Sequence, residues 1–412
     1  MNKIKNKLKK IRTEDLSLGM FVYDVGRKWF DHPWTKQKKL ITSKKEIEQL
    51  KEYGIDEVTI DLARGSSPKK IVKEIEKLRG ISEKAEQIAE PVEEKPGEPV
   101  KTVPLEEELP RARETYFSAL QTTREFLADA RAGREVNVPK VQANVEDIID
   151  STFRNRDASL ALIKLKAYDE YTLTHSLNVA VLSICIGCHV NFSRQKIREL
   201  GLGAILHDLG KTKVPYNILN KRTSLTEKEF RAIKSHTVIG ANMLEKTKKI
   251  PGNAVSIARH HHERIDGSGY PDHLTEDQID EFITIAGLAD VYDALTSDRV
   301  YRKSIPPHEA LKTIFALRGK QFDTLWVEKF TQCLGIYPAG TLVKLNTGEI
   351  AVVRSVNRST LLRPNIRLIL DPKGVPIFGV KTMNLDAAKF LDINIVGVID
   401  PRTLGLDLSI YF

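Results

Sequence analysis

The sequence predicts a mainly α-helical protein, an all-α bundle carrying a small α+β module at one end and a small β-subdomain at the other. Three observations predict it. From about residue 111 to Gly335 apolar residues recur at helical spacing, broken chiefly at Pro139, Pro215, Pro251, a Gly-Ser-Gly-Tyr-Pro loop and Pro306–Pro307. Ahead of that stretch the pattern is short and mixed. After Pro338 it turns into alternating β-type runs joined by Thr-Gly and Lys-Gly turns.

In chain order, residues 1–65 form the first module. FVYDV, KKLITS and DEVTIDL have strand texture, and Lys44 to Tyr53 has the spacing of a short amphipathic helix ended by Gly54. Residues 66–110 are expected to connect. Lys69 to Glu90 reads as a charged helix, and PVEEKPGEPVKTVPLEEELP is too rich in Pro and Glu to support a packed core. Residues 111–337 make the bundle, with a helical section resuming at Arg111, and residues 338–412 make the β-rich subdomain.

At 412 residues the chain has room for two or three domains with a large core. Its net charge of +9 does not make the body a binder of nucleic-acid polymers. Lys3, Lys5, Lys7, Lys9, Lys10 and Arg12 supply six of those charges within the first twelve residues, a stretch that reads as a solvated helix or disordered end. Three cysteines, an odd count, argue against a disulfide framework and for a reducing, cytoplasmic setting. Cys185 and Cys188 form a C-x-x-C, but inside the apolar run VAVLSICIGC, where burial is the simpler reading. No signal peptide is visible, and the longest uncharged run, Ser176 to Cys188, is too short for the roughly 20 residues of a transmembrane segment.

The chemistry concentrates in seven residues: His175, His207, Asp208, His236, His261, His262 and Asp290. Any one of these histidines alone would be a core or surface residue. Together, imidazoles and carboxylates punctuating helices read as a metal centre whose mixed nitrogen and oxygen donors suit iron, manganese or zinc rather than calcium or magnesium. His207 and Asp208 are neighbours and cannot share a helix face, so they must serve different metals or sit at a helix end, which Gly210 would supply. A two-metal centre, with ions ~3.5–4 Å apart, needs about this many donors and a bridging carboxylate. Such a pair lowers the pKa of a shared water and neutralises charge on a phosphoryl group, the requirements of phosphodiester hydrolysis.

The local strings YTLTHS, LHDLGKTK, HHHERIDGSGYP and ADVYDALTSDRVYR, in that order, resemble the HD-GYP family of bacterial cyclic-di-GMP phosphodiesterases over residues 150 to 335. The family is named for a His-Asp doublet, here His207 and Asp208, and a Gly-Tyr-Pro triplet, here Gly269, Tyr270 and Pro271. LGMFVYDVGRKWFDHPW is similar to the opening of an N-terminal domain of unassigned role often fused to it. The resemblance implies an HD-type bundle in which Asp208 bridges two divalent ions held also by His175, His207, His236, His261, His262 and Asp290. Of the triplet His260–His262, it selects the two immediately before Glu263 and leaves His260 on a helix face. Family members with a third metal carry a Glu where this chain has Tyr171, so two metals are expected. Lys211, which alone would read as a solvated lysine, is then placed to stabilise charge on the scissile phosphate, and Arg299 and Arg302 to contact the cyclic dinucleotide. Thr284 stands where a supporting basic residue is frequent. The Gly269–Pro271 loop is by composition only a turn; the resemblance makes it border the active site and dock diguanylate cyclase (GGDEF) domains. Two other functions compete: another HD-superfamily nucleotide hydrolase, and a catalytically weak scaffold that senses the dinucleotide. The complete donor set argues against the scaffold.

Overall fold

A computed structural model of the chain describes residues 8–16, 20–24, 39–40, 47–48, 50–51, 55–61, 102–134, 136–163, 171–219, 221, 223–247, 249–298 and 304–404. Two compact units emerge, residues 1–92 and 93–412. The expected charged helix Lys69 to Glu90 lies outside the described residues.

In the first unit, β1 (Leu8–Arg12), β2 (Phe21–Asp24), β3 (Lys39–Leu40) and β4 (Glu57–Asp61) form an antiparallel sheet in the order β1-β4-β2-β3. Leu16, Val22, Leu50, Ile55, Val58 and Ile60 make its core. The expectation of a solvated helix or disordered end for the basic stretch needs correction at Leu8–Arg12, which is a strand. Ile11 packs against the core while Lys9, Lys10 and Arg12 stay exposed, and Lys10 pairs with Glu57 on the neighbouring strand. Long basic side chains are compatible with a sheet edge, and they discourage pairing with other chains.

The second unit is the helical bundle. Its helices are α1 (Leu105–Ala132), α2 (Val138–Arg154), α3 (Arg156–Leu162), α4 (Tyr171–His189), α5 (Arg194–Leu206), α6 (Tyr216–Leu219), α7 (Glu227–Lys234), α8 (His236–Glu245), α9 (Gly252–His260), α10 (Glu281–Thr296), α11 (Pro307–Ala316) and α12 (Thr324–Leu334). α4 runs through the middle. Leu177, Val179, Ala180, Leu182, Ile184 and Cys185 on it are fully buried, and it packs against α5, α10, α1 and α2. An apolar helix without a polar face is stable only in such a central position. Cys185, Cys188 and Cys333 are free and buried, and burial pushes the Cys188 thiol up to about 12, so C-x-x-C is core here.

The first bundle helix begins at Leu105 rather than Arg111, so the boundary expected at residue 110 falls inside α1. Pro110 lies within this helix. A proline there removes a backbone donor, and tertiary contacts overrule the signal. Leu105 is buried, and the buried Glu108 carboxylate accepts from Arg154 Nε (2.7 Å), Arg154 Nη2 (2.9 Å) and Ser151 Oγ (2.8 Å).

The C-terminal sheet comprises β5 (Leu342–Leu345), β6 (Ile350–Ser355), β7 (Asn365–Leu370), β8 (Thr382–Asn384) and β9 (Ile395–Ile399) in the antiparallel order β8-β7-β6-β5-β9. Arg354 donates to Glu106 and Arg358 to Asp157, tying the sheet to α1 and α3. Among the described residues no helix is long and apolar enough to cross a membrane.

Candidate metal centre

Five segments deliver the seven residues. His175 sits one turn into α4. His207 caps the C-terminal end of α5, and the chain then tightens into a 3-10 turn, Leu209–Lys213, with Asp208 as its first capping residue. His236 opens α8, His261 caps the end of α9 with His262 next, and Asp290 lies in α10. The turn after Asp208 depends on Gly210, though by close approach and not by an unusual backbone angle. A Cβ there would lie 1.9 Å from the His236 carbonyl oxygen, so only glycine lets this turn rest on α8.

The donor atoms fall into two groups, His175, His207 and Asp208 in one and His236, His261 and His262 in the other, each with its atoms within 4.8 Å of one another. Asp208 faces both. Its Oδ2 is 3.3 Å from His207 Nε2 and 3.8 Å from His175 Nε2, while Oδ1 is 3.3 Å from His236 Nε2 and 3.8 Å from His261 Nε2. Asp290 also spans the groups, with Oδ1 3.1 Å from His175 Nε2 and Oδ2 3.5 Å from His262 Nδ1. All seven expected residues therefore meet in one place.

Their ring orientations are set from behind. His207, His236 and His261 each direct Nδ1 at a backbone carbonyl, of Ala204 (2.7 Å), Ile233 (2.7 Å) and Ile257 (3.0 Å). A carbonyl can only accept, so Nδ1 carries the hydrogen and Nε2 turns its lone pair inward. His175 is held instead by a carboxylate: its Nδ1 donates to Asp293 Oδ2 at 2.7 Å. Asp293 is a functional residue the sequence reading missed, as is Asn178, whose Nδ2 donates to Asp293 Oδ1 at 2.9 Å. The available signal was spacing. Asp293 follows Asp290 by three on an apolar helix, and Asn178 follows His175 by three on another, so each partner shares a face with a site residue.

Whether cations fit can be judged from the atoms themselves. His207 Nε2 and Asp208 Oδ1 are buried and make no hydrogen bond, a costly state that a bound cation relieves. Burial acts to raise the Asp208 carboxyl pKa, but His207 and Lys211 outweigh it and hold Asp208 well below the usual range; Asp290 is likewise held down by His175 and His262 against burial. Burial and the surrounding rings hold His261 and His262 well below the ordinary imidazole value, hence neutral and able to ligate. Burial pulls His175 down too, yet Asp290 and Asp293 outweigh it and lift it to about 9. A metal entering this group must therefore displace that proton. Thus the donor set fits two divalent ions.

Around the centre, Lys211 places Nζ on Asp208 Oδ2 with its side chain 22% exposed, so the ammonium reaches both the centre and solvent. It belongs to the 3-10 turn and not to a continuation of α5. The Gly269–Pro271 loop is fastened against the site. A Cβ on Gly269 would lie 2.4 Å from backbone atoms of Glu263 and Arg264, and the Tyr270 ring lies 4.8 Å from that of His262. Buried Glu263, also missed from sequence, accepts the backbone N–H groups of Asp272, His273 and Leu274 and so shapes the return of this loop. His260 points away, its Nε2 3.0 Å from Asp272, in keeping with a helix-face residue. Thr284 is buried and bonds to Asp280. Arg299 and Arg302 lie outside the described residues.

Comparison with known proteins gives this geometry a family. An HD domain matches residues 146–325, a domain of unknown function (DUF3391) residues 8–141, and a KOW domain associated with the HD domain residues 342–406. A cyclic di-GMP phosphodiesterase of Pseudomonas aeruginosa is 35% identical over 372 residues, covering 90% of this chain and 87% of its own. One from Thermotoga maritima is 39% identical over 163 residues, covering 39% of this chain and 44% of its own. Among solved structures, an HDG"Y"P protein of Bdellovibrio bacteriovorus aligns with a TM-score of 0.47 at 17% identity, over 79% of this chain and 99% of that one. The length and identity of the Pseudomonas match, together with the HD domain laid over the residues that converge here, show that the chain belongs to the HD-GYP family of cyclic di-GMP phosphodiesterases.

Proposed function

We propose that this protein is a metal-dependent phosphodiesterase that hydrolyses cyclic-di-GMP to linear pGpG. One observation carries the reading: a single buried carboxylate, Asp208, presents one oxygen to each of two donor groups. Divalent ions held there supply a nucleophile at neutral pH and neutralise phosphoryl charge. The donor set is all nitrogen and oxygen with no thiol, which favours iron or manganese, with zinc third, and Tyr171 standing where members with a third metal carry a Glu supports two ions.

The rest falls to the chain. His175, His207, Asp208 and Asp290 would hold one ion, and His236, His261 and His262 the other with Asp208. Lys211 would exchange Asp208 for a phosphoryl oxygen as negative charge develops. Arg299 and Arg302, just beyond α10, would take the dinucleotide by guanidinium forks. Burial of every donor but the half-buried His262 limits competition from bulk water. Tyr270, which packs on His262 and lies under Lys234 Nζ at 4.8 Å, joins the loop to the centre, so a diguanylate cyclase domain docking on Gly269–Pro271 would act directly on a metal-binding side chain.

The test is incubation of metal-reconstituted protein with cyclic-di-GMP and chromatographic separation of pGpG from GMP. Turnover is expected in the wild type, and Asp208→Ala should lose both turnover and metal. An Asp208→Ala protein with full metal content and turnover would remove the bridging assignment. Binding without turnover by the wild type would favour the scaffold.

A further inference from the structure

Behind His175 the hydrogen bonds continue past Asp293. Asn178, itself buried, uses Nδ2 for Asp293 Oδ1 (2.9 Å) and for the Ile163 carbonyl (3.3 Å), and its Oδ1 accepts from the Tyr116 hydroxyl at 2.8 Å. Tyr116 is 2% exposed and sits in the middle of α1. The chain Tyr116, Asn178, Asp293, His175 thus crosses three helices, α1, α4 and α10, and ends on an atom set facing the metal centre.

The direction of every bond in it is determined. Asp293 can only accept, so Asn178 must turn its NH2 towards Asp293 and its oxygen away. That oxygen then needs a donor. Tyr116 supplies it, and burial followed by the nearby Asp293 charge pushes the phenol pKa up, keeping the hydroxyl protonated. If the donor is lost, the amide cannot repair the chain by flipping, because its oxygen would then oppose a carboxylate.

We propose that Tyr116 is a positioning residue of the metal centre, setting the ring of His175 through Asn178 and Asp293. The match to the domain of unknown function spans residues 8–141 and so includes α1. α1 belongs to the second compact unit, so the helix that completes the site from behind lies in the same unit as the metal-binding residues. Partners behind a ligand are typically worth about 10- to 100-fold in metal affinity.

This inference rests on the reading of His175, His207 and Asp208 as one of two metal groups, but not on the substrate. In metal-free full-length protein, Mn2+ binding by calorimetry should resolve two affinities. Tyr116→Phe, which deletes one oxygen and keeps the ring, should weaken one of them about 10- to 100-fold and leave the other within about twofold. It should also lower kcat at limiting Mn2+, with recovery as Mn2+ is raised. Tyr337→Phe, which removes a hydroxyl from a half-buried ring outside this chain of hydrogen bonds, should change neither affinity. Two unchanged affinities in folded Tyr116→Phe overturn the proposal. Equal weakening of both affinities, or failure of the variant to fold, overturns it too, since the hydroxyl would then be a general requirement of the bundle. Should the wild type bind two Mn2+ without hydrolysing cyclic-di-GMP, the substrate reading fails and this one stands.

Discussion

Gly210→Ala is the smallest change that should damage the metal centre without touching a donor atom. The added Cβ would lie 1.9 Å from His236 O, 2.6 Å from Gly240 N and 2.8 Å from His236 C, all backbone, whereas real Cβ contacts essentially never fall below 3.0 Å. The 3-10 turn bearing Asp208 and Lys211 must then move from α8, which bears His236, by roughly 1 Å, because close-packed interiors cannot absorb the overlap elsewhere. Coordination tolerates about 0.2 Å. Overpacking of this kind costs about 1–3 kcal/mol of stability, and a misplacement of about 1 Å costs roughly 100-fold in turnover. The assay is metal content per folded chain after dialysis, cyclic-di-GMP turnover, and the unfolding midpoint. Gly252→Ala is the control, since a Cβ there meets nothing within 4 Å. Metal content and turnover at the wild-type level in Gly210→Ala would refute the claim that this contact sets the spacing of Asp208 and His236.

Three further outcomes are expected. Arg299→Ala and Arg302→Ala should weaken cyclic-di-GMP binding about 10- to 100-fold, the worth of a charged hydrogen bond, with metal content unchanged; wild-type affinity in both would place the substrate elsewhere. Burial, then Arg156, Arg358 and Lys329, lowers His189 to about 3, so the folded state resists a proton that the unfolded chain takes up near 6.5. Stability from His189 is thus whole above about pH 6.5 and falls as pH drops towards 3, by about 2 kcal/mol at pH 5; His189→Gln should flatten that slope in denaturant titrations relative to the wild type, and an unchanged slope would contradict the assignment. Finally, a fragment starting at Thr102 should fold and keep its metals, whereas one starting at Arg111 loses Glu108 and should be less stable by roughly 1.5–3 kcal/mol, measured by thermal unfolding; equal stability would mean that the Glu108–Arg154 pair contributes nothing net.

The sequence by itself determined the helical bundle between two small β-containing parts and all seven residues that converge on the centre, because periodicity and the local strings around each His and Asp are properties of short segments. It also separated His261 and His262 from His260, through their position before Glu263. What it did not hold was anything decided by partners distant in the chain. His175 and Asp293 are 118 residues apart, Tyr116 and Asn178 62, and Glu108 and Arg154 46. His175, Asp293, Tyr116, Asn178 and Glu108 are all buried, where an unpaired polar group is expensive, so tertiary packing and not local propensity selected their partners. The same reason explains the two displaced elements. Leu8–Arg12 became a strand because β4 offered an open edge, and α1 ran through Pro110 because Leu105 and Glu108 found buried partners. Local signals named the groups that converge on the candidate metal centre; only the packed bundle showed which groups stand behind them.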